Sequence, residues 1–184
     1  MIKQPEGYLT DLNIDWRVYD QYLEKIEVSS KTRLLNEGDI ADKVFFIEKG
    51  SVRVGYDNDG KDISVQFYFE DDLLTCCESL FSDTPSRFFI ETTERTTAFY
   101  MTKEKMELLF TIKPELAEIS QRIMVERLVH YSEHLLTYLK DTPEERYNNL
   151  IRTKPFIFQR IPQRHIASYL GMTNVSLSRI KGRK

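Results

Sequence analysis

The sequence predicts an α+β chain in which an antiparallel β-roll or jelly roll comes first, a long helix follows, and a helix-turn-helix closes the chain. Three observations predict it. Residues 28–101 consist of short runs rich in Val, Ile, Phe, Tyr and Thr, separated by turn signals. After Thr102 the apolar spacing changes to the helical period. The last thirty residues, 155–184, carry Arg160, Arg164, Arg179, Lys181, Arg183 and Lys184 with no Asp or Glu. A chain of net charge -3 therefore ends in a +6 segment, and the other 154 residues hold 20 basic and 29 acidic side chains. Such a tail on an acidic body points to a polyanion contact at one end.

Composition removes several classes. With 41% apolar and 30% charged residues over 184 positions, the chain can bury a core and is not a disordered polymer. No apolar run approaches the length of a membrane span. The opening residues Met1, Ile2, Lys3, Gln4, Pro5 and Glu6 lack an apolar export core, so a cytoplasmic location is expected. The two cysteines, Cys76 and Cys77, are adjacent and form no ordinary disulfide framework, which fits a reducing compartment.

In chain order, residues 11–26 place Trp16, Tyr19, Leu23 and Ile26 at three-to-four spacing and predict a short amphipathic helix. Strands are expected at 32–35, 43–48, 51–56, 63–69, 87–92 and 95–101. Asp59-Gly60 lies between SVRVGY and ISVQFYF, a hairpin signal because Gly supplies the positive φ of a tight turn. A short helix is expected at 103–110, and Pro114 suits the first turn of a longer one reaching Lys140. In that helix Met124, Leu128, Tyr131, Leu135 and Tyr138 recur at alternating intervals of four and three, a seam either for pairing with a second copy or for packing on the chain's own sheet. Thr142, Pro143 and Glu145 then spell a capping box with Pro at the first helical position, which marks a boundary. The expected division is 1–113, 114–140 and 141–184.

Residues 162–184, PQRHIASYLGMTNVSLSRIKGRK, carry the chemistry. Ile166, Ala167 and Leu170 make one apolar face, and Ala167 is small where a second helix crosses. Gly171 ends the first helix, Thr173 caps a second, and Leu177 and Ile180 point back at the first. Asn174, Val175, Ser176, Ser178 and Arg179 are left facing outward as candidate base readers, since Asn pairs with adenine and Arg with guanine. Arg164, Thr173 and Lys181 are candidate phosphate contacts.

This arrangement resembles the Crp/Fnr superfamily of bacterial transcription regulators over nearly the whole chain. Glu37-Gly38-Asp39, Val44 to Gly50 and Val52-Arg53-Val54 look like the strand–turn core of that family's cyclic-nucleotide-binding-type roll. Asn174, Val175 and Arg179 fall where family members place base-reading side chains. The resemblance implies a sensor roll over 1–113, a dimerisation helix over 114–140 and a DNA-binding domain over 141–184 with a short or missing wing. It also implies a homodimer on a pseudo-palindromic duplex, with RNA polymerase as a further partner and no membrane. The family's phosphate cassette corresponds to residues 76–89, which puts Glu78, Ser79, Ser86 and Arg87 in the effector pocket. No Gly precedes Glu78, and Arg87 is followed by Phe88 and Phe89 where small polar residues should approach a phosphate. The expectation is a regulator with an unknown small-molecule effector or none, which does not bind cyclic AMP tightly. The alternatives are a cyclic AMP or cyclic GMP responder with a divergent cassette, and a sensor module that does not bind DNA.

Other chemistries lack their residues. Iron–sulfur sensing of the Fnr type needs four cysteines where two are present. His130 and His134 share a helix face, but no third metal ligand accompanies them, so no cofactor is assigned. All three histidines lie at 130 or later, outside the strands from which a metal-dependent jelly-roll enzyme would draw its ligands. No catalytic residue is assigned, and an enzyme is not expected.

Overall fold

The computed structural model describes residues 16–182. It divides into two compact units, Met1–Tyr56 with Val65–Ser120, and Asp57–Ser64 with Gln121–Lys184. The strands form two four-stranded sheets. One has the order β1 (Glu24–Val28), β8 (Thr96–Thr102), β3 (Lys43–Lys49), β6 (Leu73–Leu74). The other runs β2 (Arg33–Leu35), β7 (Phe89–Thr92), β4 (Val52–Asn58), β5 (Lys61–Tyr68). The pairings of β1, β2, β3, β4, β6, β7 and β8 described by register are antiparallel. Their alternating inward residues, among them Leu35, Val44, Ile47, Val52, Val54, Leu74, Ile90 and Met101, form one buried core. Each such side chain contributes about 1.5–3 kcal/mol on burial, taken as an upper bound.

All six expected strands are present, displaced at their ends by one or two residues. The hairpin is also present: Asp59 and Gly60 both have positive φ, 52° and 82°, as a two-residue turn between β4 and β5 requires. The N-terminal expectation needs correction. Trp16–Tyr22 is a 3-10 helix, and the apolar residues expected to continue it do not. Leu23 follows that helix, and Ile26 sits in β1 opposite Ala98. A strand wins there because β8 offers a full antiparallel edge to residues 24–28, and spacing within the sequence does not reveal that partner. Residues 11–15 of the expected helix lie outside the described residues. Three further elements went unanticipated, the two-residue strand β6, helix α1 (Cys77–Ser82) and the one-turn helix Ile157–Arg160.

Helices α2 (Lys103–Ile112) and α3 (Pro114–Lys140) follow the roll. Then come α4 (Pro143–Thr153), α5 (Ile157–Arg160), α6 (Gln163–Tyr169) and α7 (Asn174–Gly182). The capping box forms as expected: Thr142 Oγ1 accepts from the Glu145 amide at 3.3 Å, and Glu145 Oε2 accepts from the Thr142 amide at 2.7 Å. These bonds hold the Glu145 carboxyl below its ordinary pKa. The division between the compact units nevertheless falls inside α3, between Ser120 and Gln121, rather than at this cap. The C-terminal half of α3 belongs with α4–α7 because its side chains are bound to them, as described below. Among the described residues no helix is long and apolar enough to cross a membrane.

Candidate effector cassette and nucleic-acid interface

The cassette residues lie on α1 and the loop that leads into β7. Ser79, fully buried, donates to the Thr84 carbonyl at 2.6 Å and accepts from the Ala41 amide at 2.8 Å. Ser86 is buried as well. Its hydroxyl meets the Phe88 carbonyl at 2.8 Å and Glu78 Oε1 at 3.2 Å, and its backbone pairs with Gly38 and Asp39. Three of the four candidate effector residues thus bind the loop to itself. The fourth, Arg87, is exposed to solvent. Phe88 packs edge-on against Tyr56 with ring centroids 6.2 Å apart, so an aromatic pair stands beside Arg87. Burial pushes the Cys76 thiol up to about 12, which makes it an inert apolar side chain.

A second cluster escaped the sequence reading. Arg53 is 1% exposed, and its Nε and Nη2 donate to Glu91 Oε1 at 2.9 and 2.6 Å. Arg33 approaches the other oxygen of Glu91 at 3.0 Å. The two guanidinium groups also face the ring of Phe89, at 3.4 Å for Arg33 and 4.7 Å for Arg53. Register explains this, since Glu91 is the cross-strand partner of Arg33 on one side and of Arg53 on the other. The available signal was an Arg between Val52 and Val54 and a Glu following Phe89-Ile90, charges that interrupt apolar strands. Charges buried in this way need partners with good geometry.

The second unit presents α6, a turn and α7. Ile166, Ala167, Leu170 and Leu177 are at most 2% exposed and form the seam between the two helices. Gly171, at φ +67°, makes the turn, and Thr173 Oγ1 accepts from the Ser176 amide at 3.1 Å to cap α7. Asn174, Val175, Ser178 and Arg179 are exposed together on α7, and Lys181 is exposed near its end. Ser176 is only half-buried and shares a hydroxyl contact of 2.9 Å with Thr173, which draws it into the cap. Arg164 is exposed on α6 and its Nε donates to His165 Nε2 at 3.2 Å. Arg183 and Lys184 lie outside the described residues.

On α3, Met124, Leu128, Tyr131 and Leu135 are 40–65% exposed, and Leu139 on the same helix is 74% exposed. Large apolar side chains therefore lie exposed in a stripe along one helix. Tyr138, 38% exposed, is also bound within the chain. Its hydroxyl donates to the Tyr169 carbonyl, and the Arg146 guanidinium lies 4.7 Å above its ring. His134, one turn earlier, stacks on Tyr169 at 4.5 Å and 13°. Burial, aided by repulsion from His130, Lys154 and Arg146, lowers His134 to about 4, so it is neutral near pH 7. Among the described residues no group of three or more His, Cys, Asp or Glu side chains could hold a metal ion.

Comparison with known proteins gives the following. Residues 25–112 match the cyclic nucleotide-binding domain family. No curated protein matches the chain significantly by sequence. Among solved structures the chain is similar to FixK2 from Bradyrhizobium japonicum, at 19% identity and a TM-score of 0.76, covering 88% of this chain and 83% of that one. It is also similar to CLP of Xanthomonas campestris, a c-di-GMP responsive global regulator, at 13% identity and a TM-score of 0.74, covering 91% and 88%. The Thermus thermophilus catabolite activator protein matches at 16% identity and a TM-score of 0.61, covering 96% and 86%.

Proposed function

We propose that this chain is a transcription regulator of the Crp/Fnr superfamily, a dimer that reads duplex DNA through α7; the match of residues 25–112 to the cyclic nucleotide-binding domain family and a fold similar along most of its length support that reading. The observation that carries this reading is the outward face of α7. Asn174, Val175, Ser178 and Arg179 project together from a helix whose other face is closed by Leu177 against α6. Asn and Arg supply the bidentate donors that distinguish base edges in a major groove. Arg164, Thr173 and Lys181 flank that face and would meet phosphates, which fix register without reading sequence. The apolar stripe Met124, Leu128, Tyr131, Leu135 is the surface for a second copy. A symmetric dimer then sets two reading helices about 34 Å apart on a pseudo-palindromic site. RNA polymerase is the partner through which such a protein would act.

The effector side of the proposal is negative for cyclic AMP and cyclic GMP. A cyclic phosphate needs free donors, yet Ser79 and Ser86 are spent inside the loop and Phe88 packs on Tyr56. Effectors differ within the fold, as the c-di-GMP response of CLP illustrates, so a small molecule of another class, or none, remains the expectation.

The test begins with selection of a duplex from a random library and proceeds to salt titrations on selected and scrambled duplexes. Arg179→Ala should cost about 1–3 kcal/mol on the selected site and spare non-specific binding. Lys181→Ala should weaken both duplexes and lower the salt slope by about one. Leu128→Glu should give a monomer in sedimentation. Absence of binding to any duplex would overturn the reading in favour of a sensor module that does not bind DNA. Micromolar binding of cyclic AMP in calorimetry would overturn the effector statement.

A further inference from the structure

Arg146 stands at the meeting point of three helices. It lies in the first half of α4 and is 8% exposed. Its Nε donates to the Leu170 carbonyl at 3.0 Å, at the end of α6, and its Nη1 donates to the Asp141 carbonyl at 2.7 Å, just after α3. The plane of the guanidinium lies over Tyr138, whose hydroxyl reaches the Tyr169 carbonyl from α3. One rigid side chain thus satisfies carbonyls left over at the ends of two helices, a task suited to a planar fork of donors and not to a flexible ammonium. Gly171 completes the arrangement. A Cβ there would lie 2.6 Å from Tyr138 Cε1 and 3.5 Å from Arg146 Nη2, so the turn is seated directly on the pair.

Resting on the reading of α7 as the DNA-reading helix, we infer that Arg146 and Tyr138 are positioning residues that fasten the α6–α7 turn to the end of α3, so that the pairing stripe and the reading helix form a single rigid body. The sequence places its strongest break at Asp141-Thr142-Pro143, the natural position for a swivel between dimer helix and reading head. The Arg146 bonds span that break. Leu135 and Leu139 belong to the pairing stripe, and the neighbouring residues His134 and Tyr138 grip Tyr169. Half-site spacing on DNA is therefore set by the seam of the dimer and has little freedom to adapt.

The experiment uses the full chain with Arg146→Lys and Tyr138→Phe. Amide exchange at Gly171 and Met172, whose N–H groups bond to Ser168 and Ala167 carbonyls at 3.0 Å, reports the turn directly and needs no DNA. Arg146→Lys should accelerate exchange there by roughly tenfold or more while amides of β3 and β8 stay unchanged. On selected duplexes whose half-sites are moved apart one base pair at a time, the unaltered protein should lose affinity steeply away from one spacing, and Arg146→Lys should flatten that profile while sedimenting as the same dimer. Tyr138→Phe, which removes the hydroxyl and keeps the ring, should move both readouts in the same direction if Arg146→Lys fails to fold. Exchange unchanged by the substitutions, or a spacing profile as steep as that of the unaltered protein, overturns the inference. If the unaltered protein binds no duplex, the DNA reading fails, and exchange alone decides whether Arg146 positions the turn.

Discussion

Gly171→Ala offers a quantitative check on how the α6–α7 turn is seated. Gly171 sits at φ +67°, where a Cβ costs about 1–2 kcal/mol against the following carbonyl. Reduced freedom of the unfolded chain returns about 0.4–1 kcal/mol of that. The added methyl would also lie 2.6 Å from Tyr138 Cε1, too close to stand, so the ring must swing away. The swing breaks the hydrogen bond to the Tyr169 carbonyl, about 1 kcal/mol, and the stacking of Arg146 on the ring, about 0.5–2 kcal/mol. Together these give a destabilisation of about 2–4 kcal/mol. Urea unfolding followed by circular dichroism at the helical band is the assay, with the transition of the helical unit separated from that of the roll. A double-mutant cycle with Tyr138→Ala isolates the clash, because removal of the ring leaves only the backbone strain. The two substitutions should be clearly non-additive. A cost below about 1 kcal/mol for Gly171→Ala, or strict additivity with Tyr138→Ala, would refute the seating of this turn on Tyr138.

The remaining predictions concern charge and burial. Glu91→Leu takes from Arg53 the two hydrogen bonds its buried guanidinium makes to Oε1, and should destabilise the roll by about 3–5 kcal/mol in urea unfolding. Arg53→Met should cost less, because Glu91 keeps Arg33 at 3.0 Å; the opposite order would show that Glu91 is not the hub. The depressed His134 makes the helical unit pH-sensitive with a definite sign. Between the ordinary value of 6.5 and about 4 the unfolded chain binds a proton that the folded chain does not, so stability falls as pH drops through this window. His134→Gln should flatten the dependence in unfolding midpoints taken from pH 7 to pH 4, and an unaltered slope would sink the assignment. Cys76, with its thiol raised to about 12, should resist iodoacetamide at pH 8 in the folded protein and react only after unfolding. Rapid labelling of Cys76 in native protein would contradict its burial.

Sequence by itself determined the elements whose cause is local. The hairpin at Asp59-Gly60 follows from positive φ, and the helix start at Thr142-Pro143 follows from a cap that satisfies its own first turn. The helix-turn-helix was legible because its apolar seam, its glycine and its capping threonine fall within eighteen consecutive residues. Only the tertiary structure decided what depends on partners distant along the chain. Residues 24–28 became a strand because β8 lay open beside them, against a helical spacing in the sequence. Ser79 and Ser86 look free as residue types, but Ala41 and Thr84 take up the first hydroxyl and Glu78 and Phe88 the second. Tyr138 fits the heptad seam by interval, yet Tyr169 and Arg146, thirty-one and eight residues further along, claim its hydroxyl and its ring. The same holds for Arg53 and Glu91, which are 38 residues apart and meet only through strand register. Periodicity reports which way a side chain faces on its own element; which group waits on the other side is set by packing between elements, and in this chain that packing determines the cassette, the buried charges and the seat of the α6–α7 turn.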